Sequence, residues 1–190
     1  MTSSKNEAQG LERVTGELVY LADCSASQLF DYNCRNRDHL RPWEPLRNEN
    51  GPSLEDCEAA IENARKVLEN KSGTNFAFLK DGKIIGQANF SGITGFPFRA
   101  CYMGFSIDAG FQGQGYAREM LKLAIDRMFR EHPLNRIMAN YMPRNMKSAR
   151  LLNVLGFRIE GFAYKYLEIN GQWEDHFLSS LLSSDWENKS

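Results

Sequence analysis

No run of apolar residues in this chain approaches the roughly 20 that a helix needs to cross a bilayer, so no membrane partner is expected. Excess charge of one sign is also missing. The 23 lysines and arginines nearly balance 24 aspartates and glutamates, for a net charge of -1. That balance gives no electrostatic case for a sequence-specific nucleic-acid partner, although it leaves room for a local patch. Cysteine is sparse and unpatterned. Cys24, Cys34, Cys57 and Cys101 form no C-x-x-C pair, and the 3 histidines form no cluster with them. No metal is therefore assigned, and no histidine singles out a base for a cysteine nucleophile. The thiols are expected to stay reduced, with Cys101 a small core residue. The opening residues, MTSSKNEAQG, lack the apolar core of a secretory signal, so the cytoplasm is the expected compartment.

What the chain does have is the composition of an ordinary globular domain. Its 190 residues are 42% hydrophobic and 25% charged, enough for one substantial core. Residues 1–10 are expected to be a disordered tail and 11–190 one domain. Glu12–Leu21 reads as a strand. Ser25 caps a helix to about His39, and the prolines of RPWEP (Arg41–Pro45) stop it in a stiff, non-helical segment. Ser53 opens a second helix whose buried face carries Ala60, Ile61, Ala64, Val67 and Leu68. Two apolar runs flank Asp81-Gly82, a strong hairpin signal, and Ala100–Ile107 is the next strand. A helix with Ala117, Met120, Leu121, Ala124, Ile125 and Met128 on one face follows. Arg136–Tyr141 reads as a strand, Lys147–Leu155 as a helix closed by Gly156, and two strands joined at Asn170-Gly171 end the pattern. The implied class is α/β (α+β): a mixed sheet in one domain, flanked by helices.

The organising stretch is Tyr102–Arg130: strand, glycine-rich turn, amphipathic helix. Such a turn presents bare N–H groups at a helix start, where phosphate binds. The common nucleotide motifs fail on spacing. A dinucleotide fingerprint beginning at Gly113 requires glycine where Arg118 stands, and a P-loop requires Lys-Ser/Thr where Tyr116-Ala117 follow Gly115. What remains is Gln112-x-x-Gly115-x-Ala117 after a strand.

That string resembles the acyl-CoA signature of the GNAT N-acetyltransferases, Gln/Arg-x-x-Gly-x-Gly/Ala. One strand later, Asn145-x-x-Ser148-x-x-Leu151-Leu152-x-x-x-Gly156-Phe157 resembles the second segment of that family. The element order matches too: the resemblance implies the single-domain GNAT fold with a mostly antiparallel sheet. HLRPWEP (His39–Pro45), QANFSG, ACYMG, RIMANYMPRN (Arg136–Asn145) and INGQWEDH (Ile169–His176) further resemble the RimJ-type ribosomal-protein-alanine N-acetyltransferases. This likeness runs from about Leu11 to Trp186.

The resemblance implies direct transfer of acetyl from acetyl-CoA to the N-terminal alanine of a ribosomal protein, with the assembling ribosome as an expected partner. Alternatives are another amine (a small molecule or a lysine), or a CoA-binding ribosome-associated factor with little catalysis. It implies pyrophosphate on the backbone of Gln112, Gly113, Gln114, Gly115, Tyr116 and Ala117. It also implies pantetheine along Phe105, Ser106 and Ile107, and further cofactor contacts from Asn145 and Ser148. Ser148 matches a serine at the CoA sulfur. Tyr102 stands where relatives often carry a glutamate base, and Leu167 where RimL-type enzymes carry another. Tyr102, Ser148 and Glu44 are thus the catalytic candidates, with Tyr102 suited to acid or relay chemistry rather than base. Structural alternatives are a half-buried strand aromatic for Tyr102, an ion pair with Arg41 or Arg47 for Glu44, and a self-bonded helix serine for Ser148. The arginines at 35, 37, 41 and 47 read as a modest patch or a solvated face. Replacing Gly115 is expected to weaken cofactor binding with little loss of fold.

Overall fold

The structure is a computed structural model, and it describes residues 14–45 and 51–187. The expected tail at 1–10 and Arg47 lie outside them. Seven strands form one sheet in the order β1-β2-β3-β4-β5-β7-β6. These are β1 (Glu17–Tyr20), β2 (Gly73–Lys80), β3 (Lys83–Thr94), β4 (Ala100–Ile107), β5 (Arg136–Met138), β6 (Arg158–Ile169) and β7 (Gln172–Leu182). Every neighbouring pair is antiparallel except β4 with β5. The helices are α1 (Ala26–Leu40), α2 (Leu54–Glu69), α3 (Tyr116–Glu131), α4 (Met146–Leu155) and α5 (Ser183–Glu187).

Local chemistry sets the boundaries. Ser25 accepts from the Gln28 N–H while the Gln28 side chain returns to the Ser25 N–H, a reciprocal box that starts α1. Ser53 starts α2 by accepting from Asp56 N–H. Asp81 and Gly82 both take positive φ, 50° and 74°, as a type I′ hairpin requires. Gly156 at φ 98° ends α4.

Alternation along the strands builds two cores. On one face Ala77 and Ile84 meet Leu29, Tyr32, Cys57 and Ile61 of α1 and α2. On the other, Phe76, Phe90, Cys101 and Met103 meet Met120, Leu121, Ile125 and Met128 of α3, joined by Leu152 and Leu155 of α4. The helix periodicity placed this face well, but it named Ala117 where Tyr116 is the buried residue. Four other boundaries differ from expectation. The described part of the first strand is only Glu17–Tyr20. RPWEP opens with a 3-10 turn over Arg41–Trp43 rather than a wholly non-helical segment, because Pro42 suits the first turn of a helix. The strand at Arg136 stops at Met138 instead of Tyr141. Ser183–Glu187 forms α5, whose Trp186 closes the α3-side core.

Gly86 shows how closely the layers meet. A Cβ there would lie 2.8 Å from Met120 Sδ and 3.2 Å from the backbone oxygen of Ser106. Gly86→Ala is therefore expected to destabilise the fold by about 1–3 kcal/mol, read from chemical denaturation. An unchanged midpoint would show that α3 is not seated against β3 and β4 as described.

Candidate active site

The chain turns immediately after β4, and a buried polar cluster dictates how. Asp108 Oδ1 accepts from Gly110 N–H at 2.8 Å, and its Oδ2 accepts from Asn36 Nδ2 at 3.1 Å. Arg35 pairs with the same carboxylate and donates to Ile84 O at 2.9 Å. Asn36 Oδ1 takes Ala109 N–H at 3.0 Å. Asn36 and Asp108 are buried. Burying a carboxylate is costly unless it is paired and bonded, and here both conditions hold. Arg35 is therefore a structural partner of the turn, not part of a free basic patch. The α1 helix thus grips the first residues of the glycine turn.

The turn itself presents backbone. Gly113 and Gly115 sit at φ 73° and 90°, in the left-handed region that only glycine enters without strain. Gly115 caps α3 with no side chain, and the first intrahelical N–H bond is Glu119 to Gly115 O at 3.1 Å. The N–H groups of Tyr116, Ala117 and Arg118 consequently have no acceptor within the helix. The side chains of the turn reach to neighbours. Gln114 Nε2 donates to Gly110 O at 2.8 Å. Tyr116 packs edge-on against Phe111 and bonds Lys80. Gln112 bridges two helices: its Nε2 donates to His39 Nε2 of α1 at 2.8 Å, and its Oε1 accepts from Lys147 Nζ of α4 at 2.6 Å.

Beside the turn lies an open strand edge. β4 pairs with β5 only at Ala100–Tyr102 against Arg136–Met138. Beyond that, the chain after β5 follows β7 instead: Ala139 N–H donates to Ser179 O at 2.9 Å, and Tyr141 bridges Phe177. Residues Met103–Ile107 thus keep β3 on one side and meet no strand on the other among the described residues. Phe105, Ser106 and Ile107 all lie on this edge. Asn145 caps α4 by accepting from Ser148 N–H at 3.1 Å, and the half-buried Ser148 sits in the same first turn as Lys147.

The third element is a polar wall on the α1 face of the sheet. Tyr102 is 44% exposed there. Its hydroxyl lies near that of Tyr166, which accepts from Asn140 Nδ2 at 3.1 Å. Burial first, and then Tyr102, hold the Tyr166 phenol above its usual value. The Tyr166 ring lies 5.4 Å from that of His176, whose Nδ1 donates to Glu174 O at 3.0 Å. The fully buried Tyr32 bonds Ser106 Oγ at 2.8 Å. Burial raises its pKa above the usual value, and the Glu44 carboxylate adds to the shift. Glu44 O in turn accepts from Asn170 N–H at 3.0 Å. Arg144 pairs with Glu174 at 2.6 Å and lies over the Trp43 ring at 5.0 Å. RPWEP, the loop before α4 and the β6–β7 hairpin therefore meet.

The sequence candidates thus gather around the open half of β4. Tyr102 stands at one end, Phe105–Ile107 along it, Gln112–Ala117 at the other end, Glu44 on the α1 face and Asn145 and Ser148 on α4. Sequence reading missed Asp108, Asn36, Arg144, Tyr166 and Glu174, because nothing in their local pattern announces a long-range partner. One signal existed for Glu174: it stands cross-strand from Leu167, so β7 carries a carboxylate beside the position where a glutamate was sought on β6.

The model of the acetyltransferase (GNAT) domain matches residues 22–158. This chain belongs to the GNAT acetyltransferase family. The [ribosomal protein uS5]-alanine N-acetyltransferase of Escherichia coli is 43% identical over 92% of this chain and 90% of its own length. Among solved structures, the ribosomal-protein-S5-alanine acetyltransferase of Vibrio fischeri is 41% identical with a TM-score of 0.82, covering 90% of this chain and 93% of that one. RimJ of Mycobacterium smegmatis, solved in complex with CoA-disulfide, is 26% identical with a TM-score of 0.81, covering 88% and 82%. The GNAT fold thus accounts for the parted strands and the glycine turn together.

Gly115 tests the turn. Its φ of 90° adds a backbone cost to any side chain, and a Cβ would lie 3.3 Å from Val14, so the fold will not be indifferent to replacement as the sequence alone suggested. Gly115→Val is expected to lose about 1–3 kcal/mol of stability and at least about tenfold in CoA affinity by calorimetry. Unchanged CoA affinity would remove the turn from the site.

Proposed function

We propose that this chain is a protein N-α-acetyltransferase that moves an acetyl group from acetyl-CoA to the N-terminal alanine of a ribosomal protein of the uS5 type. The observation that carries the reading is the open edge of β4, which ends in a bare N–H turn on one side and in the Tyr102–Tyr166 hydroxyl pair on the other. The acceptor comes from the likeness to the Escherichia coli enzyme, which extends through RPWEP and NYMPRN. A ribosomal acceptor suits the cytoplasm, with the assembling ribosome as its setting. No described helix is long and apolar enough to cross a membrane. The catalytic domain is taken as residues 11–190.

Acetyl-CoA supplies an acyl group activated as a thioester. The residues fit it: unpartnered N–H groups at Tyr116–Arg118 suit pyrophosphate, and the free edge at Phe105–Ile107 suits an arm of amides. Direct attack by the amine is favoured over an acyl-enzyme. Cys101, the cysteine on β4, is buried and its thiol is pushed up to about 12, which leaves almost no thiolate at neutral pH. The α-ammonium must first lose a proton, and Glu44 and Glu174 bring carboxylates to the α1 face where that can happen. In this reading Ser148 on α4, and Tyr102 backed by Tyr166, donate toward the leaving sulfur.

Acetyl-CoA with a peptide beginning in alanine and copying a uS5 N-terminus is expected to release free CoA thiol, whereas the same peptide already N-acetylated releases none. Turnover with small amines or lysine alone, or CoA binding without any turnover, would contradict the reading. Tyr102→Phe is expected to lower kcat by about 10²-fold with both KM values little changed. Tyr166 acts in its protonated form, and its phenol is held above its usual value, by burial first. Activity that depends on the protonated Tyr166 is therefore present at neutral pH and lost only as pH rises above the ordinary phenol range, and Tyr166→Phe should abolish that alkaline limb. An unchanged rate and pH profile would remove Tyr102 from the chemistry.

A further inference from the structure

Arg144 makes more cross-element contacts than a half-exposed loop arginine needs. Its side chain is 46% exposed, yet Nη2 reaches Glu174 Oε1 of β7 at 2.6 Å and Pro42 O at 3.3 Å. The guanidinium also lies 5.0 Å from the centroid of the Trp43 ring. A planar, delocalised cation can bond in its plane and stack on its face at once, and lysine cannot do both. The three partners come from segments far apart in the chain: the RPWEP turn after α1, the loop before α4, and β7. A second bond set closes the same wall, since Asn170 at the β6–β7 hairpin donates to Glu44 O at 3.0 Å and accepts from Arg41 Nε at 3.3 Å. Arg144 also directly precedes Asn145, whose side chain caps α4 and fixes the turn that carries Ser148.

We propose that Arg144 is a positioning residue for the acceptor: it locks Trp43 and Glu44 against β7 and so shapes the groove through which a peptide N-terminus approaches Tyr102. The inference rests on the acetyltransferase reading with a peptide acceptor. Arg144 holds the Glu174 carboxylate in one place and covers one face of Trp43, so the other face and the Glu44 side chain are presented in a single arrangement. Without the guanidinium, the RPWEP turn loses its tie to β7, and Glu174 is left without its cation in a half-buried position. The pyrophosphate end of the site depends on a separate set of contacts: Asp108, Asn36 and Arg35 hold the glycine turn with no help from Arg144. The two ends of the site can therefore be perturbed independently.

The experiment is a full kinetic comparison of wild type, Arg144→Ala, Arg144→Lys and Glu174→Gln with the alanine-terminated peptide, alongside calorimetric CoA binding and thermal melting. Arg144→Ala should raise the peptide KM about tenfold or more while CoA affinity stays within about twofold. Arg144→Lys should restore only part of the loss, since it keeps the charge near Glu174 and forfeits the stack on Trp43. Glu174→Gln should raise the peptide KM less, and combining it with Arg144→Ala should add little. An unchanged peptide KM in a folded Arg144→Ala protein, or equal losses for peptide and CoA, overturns the proposal. If Arg144→Ala does not fold, Arg144→Lys decides: a peptide KM equal to wild type overturns it as well. Failure of the wild-type protein itself to acetylate any peptide N-terminus would instead overturn the parent reading.

Discussion

Everything at the candidate site depends on β4 and β5 parting after three paired residues. Parallel neighbours normally continue together, because an unpaired strand edge forfeits hydrogen bonds that water must then make. Here β5 is short, and the chain beyond it takes its bonds from β7. The backbone groups of Met103–Ile107 are left for something else. An extended ligand with amides of its own is the natural occupant, and it reaches the glycine turn at the end of the same strand. In the proposed reading the open edge takes the cofactor arm, the turn takes its phosphates, and the wall of RPWEP, Arg144 and β7 receives the acceptor.

Holding such an edge open demands rigidity nearby. The buried Asp108 cluster supplies it. A carboxylate in a protein interior is a liability for stability unless its oxygens are filled, and isosteric apolar packing often does as well. Its persistence in this chain fits a positional role, since its bonds go to Gly110 N–H and, through Asn36, to Ala109 N–H. Those are the residues that aim the turn. The Gln112 bridge from His39 to Lys147 adds a second brace, tying α1 to α4 across the mouth of the edge. Stability invested in these contacts arranges unsatisfied N–H groups at the start of α3, which is a cost to the free protein and a gain only when an anion binds.

Much of the fold was legible in the sequence, where short-range chemistry decides structure. Ser25, Ser53, Asp81-Gly82 and Gly156 announced their caps and turns through residue types that admit few conformations. The glycine turn and the Asn145 cap were legible for the same reason, and the motif residues Phe105–Ile107 and Gln112–Ala117 lie on β4 and in the turn that follows it. Long-range partners were not legible. Arg35 looked like a solvated helix cation because nothing nearby in sequence foretells Asp108. Arg136–Tyr141 reads as one strand from its alternation, yet the end of its pairing with β4 is fixed by competition from β7, a tertiary effect. Helix α5 escaped because five residues carry too little periodicity to register. The base that relatives carry on β4 or β6 was sought at Tyr102 and Leu167. Glu44 was a candidate from RPWEP alone, whereas Glu174 and its pairing with Arg144 emerge only in the folded chain.

The central claim is that the parted edge and the glycine turn form one continuous binding surface. Amide hydrogen exchange of the free protein, compared with the protein saturated with CoA, tests it most directly. The account predicts new protection confined to Met103–Ile107 and Gln112–Arg118, with the β1–β2 and α2 amides unchanged. Protection that falls elsewhere, or that covers the turn and spares the strand edge, would contradict it.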